Sequence, residues 1–318
     1  MASEDNELIF AFPEFKVYKN GKFERGPTPT VPACMEDQET GVSSKDVSIS
    51  SKFSARMYLP KLKSKDEKLR ILIYIHGGGY CVGSAFQPEV HRYMNILASQ
   101  AHCVGVSVEY RLAPEHPMPA SYEDSWNAVQ WVASHADNKS KIEKEPWLAN
   151  HGDFSKVFIN GDSAGGNIVH AMVMKAGDEK LPGDVKLLGA IYAFPYFWSS
   201  EIEEKVKTND APTFYYNLWK LVYPSAPGGI DCPLLNPWAK NAPSLTVLGC
   251  SKILVVVGSK DPLKVGAVKY LEEVKKSGWK GKTDFLDIEG EDHCFQLVNL
   301  DLEKSKIVVK RMVDFIRQ

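Results

Sequence analysis

Short apolar runs alternate with amphipathic stretches along most of the chain. Ile71–Ile75 is uninterrupted apolar sequence, and similar runs recur at 103–108, 157–159, 187–192 and 253–257. A run of this length without polar alternation is expected of a strand buried on both faces. Between these runs lie helix-like stretches at 91–100, 122–134, 166–175 and 264–276. Trp126, Val129 and Val132 put an apolar stripe on the second of them. Strand and helix in alternation predict a mostly parallel central sheet with helices on both faces, an α/β architecture. Val47–Ser50 and Ser54–Leu59 alternate in polarity and predict a strand pair ahead of that sheet. Thr283–Ile288 predicts the last strand. A final helix at about 302–316 carries Ile307, Val308, Met312 and Ile316, expected as core contacts.

Two regions depart from the alternation. Residues 1–30 mix Phe10, Phe12, Phe15 and Tyr18 with charges and read as an arm packed on the body. Phe194–Pro237 is rich in aromatics, proline and glycine, with a helix expected around Ala211–Val222. It reads either as a long connection with its own small core or as an inserted cap over a pocket, and long loops in compact domains favour the cap. Lys61–Lys68 reads as a solvated loop.

Composition narrows the function classes. Of 318 residues, 44% are hydrophobic and 25% charged, with a formal net charge of −2. No global positive field attracts nucleic acid, and no apolar run approaches the roughly 18 residues of a membrane helix. The acidic N-terminal residues lack a signal-peptide pattern. The six cysteines (34, 81, 103, 232, 250 and 294) include no C-x-x-C pair. Reduced thiols in a cytosolic protein are expected. No metal-ligand spacing occurs.

The chemistry lies in three places. Gly161-Asp162-Ser163-Ala164-Gly165 fits G-x-S-x-G between a strand-like and a helix-like segment, the setting of a nucleophile elbow. Ser163 would stand exposed there as a nucleophile; a serine capping the following helix is the plainer alternative. His76-Gly77-Gly78-Gly79 directly follows the Ile71–Ile75 strand. Its bare backbone N–H groups suit a developing oxyanion, so Gly77, Gly78 and Ala164 are expected to form an oxyanion hole. His76 itself is expected to hold the loop. Asp261 follows the Ile253–Val257 strand and could orient a histidine, cap the next helix, or both. His293 follows the last strand, completing the order Ser, Asp, His. Its rivals are His151 and His170, the latter on the helix after the elbow. In the expected reaction His293 takes the Ser163 proton, Asp261 holds the imidazole, and Ser163 attacks an ester carbonyl. Neither metal nor organic cofactor is required. Tyr80, Trp198, Phe214 and Tyr215 are candidate walls for a bulky apolar substrate.

His76–Tyr80 (H-G-G-G-Y), Gly161–Asn167 (G-D-S-A-G-G-N), Tyr110–His116 (Y-R-L-A-P-E-H) and Glu289–His293 (E-G-E-D-H) resemble the plant carboxylesterases of the hormone-sensitive-lipase group. The resemblance runs from about residue 8 to the C-terminus. It implies one α/β-hydrolase domain over residues 1–318, capped by about 1–30 and 196–237, with Ser163, Asp261 and His293 at the family's catalytic positions. Gibberellin receptors resemble the same group but lack the histidine. Legume 2-hydroxyisoflavanone dehydratases are also similar. Alkaloid cyclases of the tabersonine and catharanthine synthase type look similar at 223–229, 241–245 and 277–281, but with an altered glycine loop and no such histidine. The resemblance therefore implies cleavage of a carboxylic ester, such as a methyl ester or acetate of a small apolar plant metabolite, an alkaloid for instance. A lyase, cyclase or dehydratase on the same scaffold is the alternative, and a hormone receptor a remote one. The partner expected is a small-molecule ester, with neither nucleic acid nor membrane. The sequence leaves the oligomeric state open.

Overall fold

The computed structural model describes residues 7–206 and 213–318. The chain opens with β1 (Leu8–Phe12), β2 (Phe15–Tyr18) and β3 (Phe23–Arg25), a small antiparallel sheet of its own. Then come β4 (Ser43–Ser48) and β5 (Ser54–Leu59), an antiparallel pair. The main alternation follows: β6 (Leu69–Ile75), α1 (Pro88–Ala101), β7 (Cys103–Glu109), α2 (Ala120–Ser134), α3 (Pro146–His151), β8 (Gly152–Asp162), α4 (Ala164–Asp178) and β9 (Leu187–Ala193). α5 (Ser200–Val206) and α6 (Phe214–Val222) lie in the aromatic segment. The chain ends with β10 (Cys250–Gly258), α7 (Lys264–Ser277), β11 (Lys282–Ile288), α8 (Phe295–Val298) and α9 (Glu303–Arg317).

The large sheet has the order β11-β10-β9-β8-β6-β7-β5-β4. Pairing is parallel from β11 to β7 and antiparallel at β5 and β4. Side chains of a strand alternate between faces, and here both faces are core. Ile71, Ile73 and Ile75 of β6 join the cluster covered by α2, α4 and α7. Leu72 and Tyr74 join the opposite cluster, with α1 and α9. Each buried side chain of this kind contributes about 1.5–3 kcal/mol. That is why the strand sequences are continuous apolar runs.

Three expectations need adjustment. In α9, Val308, Met312 and Ile316 are buried, but Ile307 is 51% exposed. Residues four apart share a helix face, and Ile307 sits about 100° round from Val308. In the aromatic segment the helix begins at Phe214; the expected start at Ala211 lies outside the described residues. The N-terminal region, beyond packing on the body, forms strands. Arg25 closes β3 onto it, donating to Cys81 O at 2.6 Å and Ala113 O at 2.8 Å and pairing with Glu115. No described helix is long and apolar enough to cross a membrane.

Candidate active site

The turn after β8 is built by close approach. A Cβ on Gly161 would lie 2.5 Å from Gly165 C and O, and one on Gly165 would lie 2.1 Å from Ile75 O. Only glycine fits at either place. Between them Ser163 adopts φ 55°, a region that costs a non-glycine residue about 1–3 kcal/mol. Three backbone hydrogen bonds hold it there: Ser163 N–H donates to Ala193 O at 2.9 Å, and Ser163 O accepts from Tyr196 N–H at 3.0 Å and from Asn167 N–H at 3.1 Å. Ser163 makes no side-chain capping bond to α4, so its hydroxyl is free for another partner.

That partner is His293. Its Nε2 lies 2.9 Å from Ser163 Oγ, and its Nδ1 lies 2.8 Å from Asp261 Oδ2. The turns after β10 and β11 bring the last two together: Lys260 N–H donates to Glu291 O at 2.9 Å, and Ser259 N–H to Ile288 O at 3.0 Å. Asp261 is fully buried at its side chain, while His293 is 30% exposed. The other Asp261 oxygen accepts from Leu263 N–H at 2.8 Å, so this carboxylate orients the histidine and secures the turn into α7.

The histidine's protonation follows from its surroundings. Burial opposes the imidazolium, but the hydrogen bond and charge of Asp261 work against it and hold the pKa above the ordinary value. Burial raises the Cys294 thiol as well. That sulfur is therefore uncharged near neutrality, and Asp261 is the anion that favours the proton on His293.

The glycine loop lies against the elbow. A Cβ on Gly77 would sit 2.9 Å from Asp162 O and 3.3 Å from Ser163 Cβ. Gly78 has φ 99°, and a Cβ there would strike Val82 O at 2.0 Å. These contacts put the backbone of Gly77 beside the nucleophile with no room for a side chain. His76 is buried beneath, stacked on Tyr110 with its Nδ1 2.8 Å from Gly77 O. Burial lowers its pKa to about 4, so Nδ1–H donates within the loop. Tyr110 OH donates to His76 O at 2.9 Å. The other histidines stand elsewhere: burial lowers His170 to about 3 beside Tyr270, and His151 faces Glu67 O.

Asp162 is a buried carboxyl that sequence reading passed over. It accepts from Tyr74 OH and, at 3.1 Å, from Gln296 Nε2. Burial raises its pKa to about 7 against the pull of those bonds and of His293. Its place inside the G-x-S-x-G motif was the signal available.

A cavity of about 590 Å³ opens over Ser163, His293 and the glycine loop. Phe214 and Tyr215 line it as expected. Tyr80 and Trp198 do not: both side chains are fully buried in the core. Tyr80 packs among Tyr122, Tyr196 and Trp219. Trp198 donates to Glu203 Oε2 at 2.8 Å, and the same carboxylate receives Thr213 N–H and Oγ1–H at 2.7 and 2.6 Å. Both aromatics brace the segment. The wall includes Phe12, Tyr196, Leu218 and Leu297, drawn from four separate stretches of chain. The ring of Phe214 stacks on Phe10 at 5.2 Å and meets Phe12 edge-on at 5.8 Å. Away from the cavity, Cys34, Asp37 and His91 offer donor atoms within 4.8 Å of one another. Arg56 Nη1, 3.4 Å from His91 Nδ1, opposes a cation there.

The sequence matches the family model of the alpha/beta hydrolase fold over residues 72–297. It is 48% identical to a 2-hydroxyisoflavanone dehydratase of Glycyrrhiza echinata, over 96% of this chain and 94% of that protein. It is 46% identical to catharanthine synthase of Catharanthus roseus, over 99% and 97% respectively. It is 39% identical to a probable carboxylesterase 1 of Arabidopsis thaliana, over 99% of both chains.

Proposed function

The chain belongs to the α/β-hydrolase family, and we propose that it is a serine carboxylesterase acting through a Ser163 acyl-enzyme. The single observation that carries the reading is the unbroken hydrogen-bonded line from Asp261 through His293 to Ser163, at 2.8 and 2.9 Å. Neutral His293 accepts the Ser163 proton as Oγ attacks the ester carbonyl. Asp261 keeps the remaining imidazole proton on Nδ1 and stabilises the cation that forms. Backbone N–H groups of Gly77, Gly78 and Ala164 receive the oxyanion, an arrangement typically worth about 3–4 kcal/mol per donor in the transition state. Water then repeats the cycle and frees the acid.

The substrate is an ester, such as a methyl ester or acetate, of a small apolar plant metabolite. The apolar lining from Phe12, Phe214, Leu218 and Leu297 supports an apolar body. The N-terminal strands and residues 196–237 act as its cap, within a single domain. An alkaloid fits the similarity to catharanthine synthase. The six cysteines are free, which suits the reducing cytosol as its compartment. A second reading, dehydration or cyclisation by the same groups, is favoured by the 48% identity to a dehydratase. There His293 would move protons with no acyl-enzyme.

The test is release of p-nitrophenolate from p-nitrophenyl butyrate by the wild type and by Ser163→Ala. Turnover that falls by at least about 10⁴ in the variant supports the acyl-enzyme. Folded wild type without turnover would overturn the esterase reading and leave elimination, scored by its product.

A further inference from the structure

The base nitrogen of the site has a second nucleophile beside it. Cys294 Sγ lies 3.6 Å from His293 Nε2, the same atom that faces Ser163 Oγ at 2.9 Å. Cys294 is also one of the residues that line the cavity, and it is only half-buried. Its φ of 50° is a left-handed conformation that a side chain rarely adopts, and such strain persists where the surroundings fix it. The other cysteines differ. Cys81, Cys103 and Cys232 are buried, and Cys34 and Cys250 are half-buried away from this cavity. Burial pushes Cys250 up to about 12. Burial raises the Cys294 thiol too, and His293 opposes that rise without reversing it, so the thiol stays protonated until a base takes its proton. Sulfur, imidazole and Asp261 thus stand in line as a thiol, its general base and the carboxylate that orients the base.

We propose that Cys294 is a covalent modification site for apolar α,β-unsaturated carbonyl compounds, and that its adduct shuts the cavity to ester substrates. In the step, the Cys294 S–H proton passes to His293 Nε2 as sulfur bonds to the β-carbon. The carbon–carbon π pair moves to the α-carbon, which takes the proton back from the imidazolium. The net change is addition of S–H across the double bond, with no oxidant or reductant. The adduct stands in front of Ser163, so activity falls as label accumulates. This holds whether the reaction of the site is hydrolysis or elimination.

The test uses N-phenylmaleimide on the full chain, with peptide mapping by mass spectrometry and, in parallel, hydrolysis of p-nitrophenyl butyrate. Cys294 is expected to label at least about tenfold faster than Cys34 or Cys250, and phenylboronic acid seated on Ser163 should block it. Cys294→Ser, or Cys294→Ala if the first is unstable, should lose its own activity at least about tenfold more slowly than the wild type. His293→Gln, read by mass alone, should label at Cys294 at least about tenfold more slowly, the signature of base assistance. Labelling of Cys294 no faster than Cys34, or undiminished in His293→Gln, would overturn the proposal. So would undiminished inactivation of the Cys294 variants. The mass readout needs no esterase activity, so failure of the esterase reading stays separate.

Discussion

The cavity has two sides of unlike construction. Beneath the substrate space, Ser163, Asp261, His293 and Gly77 sit on the turns that follow β8, β10, β11 and β6, and backbone contacts fix each turn. Gly165 packs so tightly on Ile75 O that no other residue fits. Across the space, the wall is made by side chains from distant stretches: Phe12 of β1, Phe214 and Leu218 of α6, Leu297 of α8. There the contacts are ring against ring, such as Phe214 on Phe10. A scaffold of backbone contacts tolerates little change and holds reacting groups to fractions of an ångström. A wall of apolar side chains can be recut with small losses. Chemistry should therefore be sensitive to the first side, and selectivity to the second.

The largest effect that sharpens this contrast after loss of the nucleophile is Asp261→Asn. The amide oxygen can still accept from Leu263 N–H, but the NH₂ would then donate to His293 Nδ1. That drives the imidazole proton onto Nε2, where it cannot accept from Ser163. We expect kcat to fall by about 10³–10⁴ with the fold intact. The pH profile gives a second readout. His293 must be neutral to act, and its folded-state pKa is raised. Activity should therefore rise with pH through a limb above about 6.5, the ordinary histidine value. Removing the carboxylate should move that limb to lower pH. A limb unmoved by Asp261→Asn would break the assignment of Asp261 as the group that holds the proton on His293.

The same contrast explains how much could be read from the sequence. The glycine loop, the elbow and the Asp and His turns are legible because backbone geometry there demands particular residues at fixed spacing. The apolar runs of β6 and β10 are legible because both faces of the sheet are covered. The wall is different. Tyr80, Trp198, Phe214 and Tyr215 are all aromatic, yet two line the cavity and two are core. Composition does not say which way a ring turns; Glu203, which takes the Trp198 N–H, is one of the groups that decide it. Asp162 was missed for a related reason. Its role comes from Tyr74 and Gln296, residues far from it in the chain.

On the wall side, Phe214→Ala should lower kcat/KM for a bulky aryl-acyl ester by about tenfold, roughly 1.4 kcal/mol of lost contact. For a p-nitrophenyl acetate control the change should stay below about twofold, because the small acyl group leaves the ring untouched. Trp198→Phe should do the reverse. It removes the N–H to Glu203 and lowers stability by about 1–2 kcal/mol, while the ratio between the two esters stays put. If Trp198→Phe changed the ratio as much as Phe214→Ala, the division between lining and bracing aromatics would fail.

The smallest effect concerns Asp162, which lies directly under the first side. Its carboxyl is raised to about 7 in the folded protein, with burial the main cause. In the unfolded chain it titrates near about 3.9. Between those values the folded state holds a proton that the unfolded chain has released. Stability therefore falls as pH rises through that window, as linkage requires when the folded state binds more protons. Asp162→Asn removes this slope. The amide oxygen can still accept from Tyr74. Its NH₂ would meet Gln296, whose Oε1 has no hydrogen-bond partner among the described residues and can turn to accept. We expect the melting temperature of the variant, relative to the wild type, to rise by about 2–4 °C between pH 4.5 and pH 7.5. A difference that is flat across that range would mean that Asp162 keeps its charge when buried. The strand end beneath Ser163 would then carry a full negative charge facing His293, and the imidazolium would owe its stability to two carboxylates instead of one.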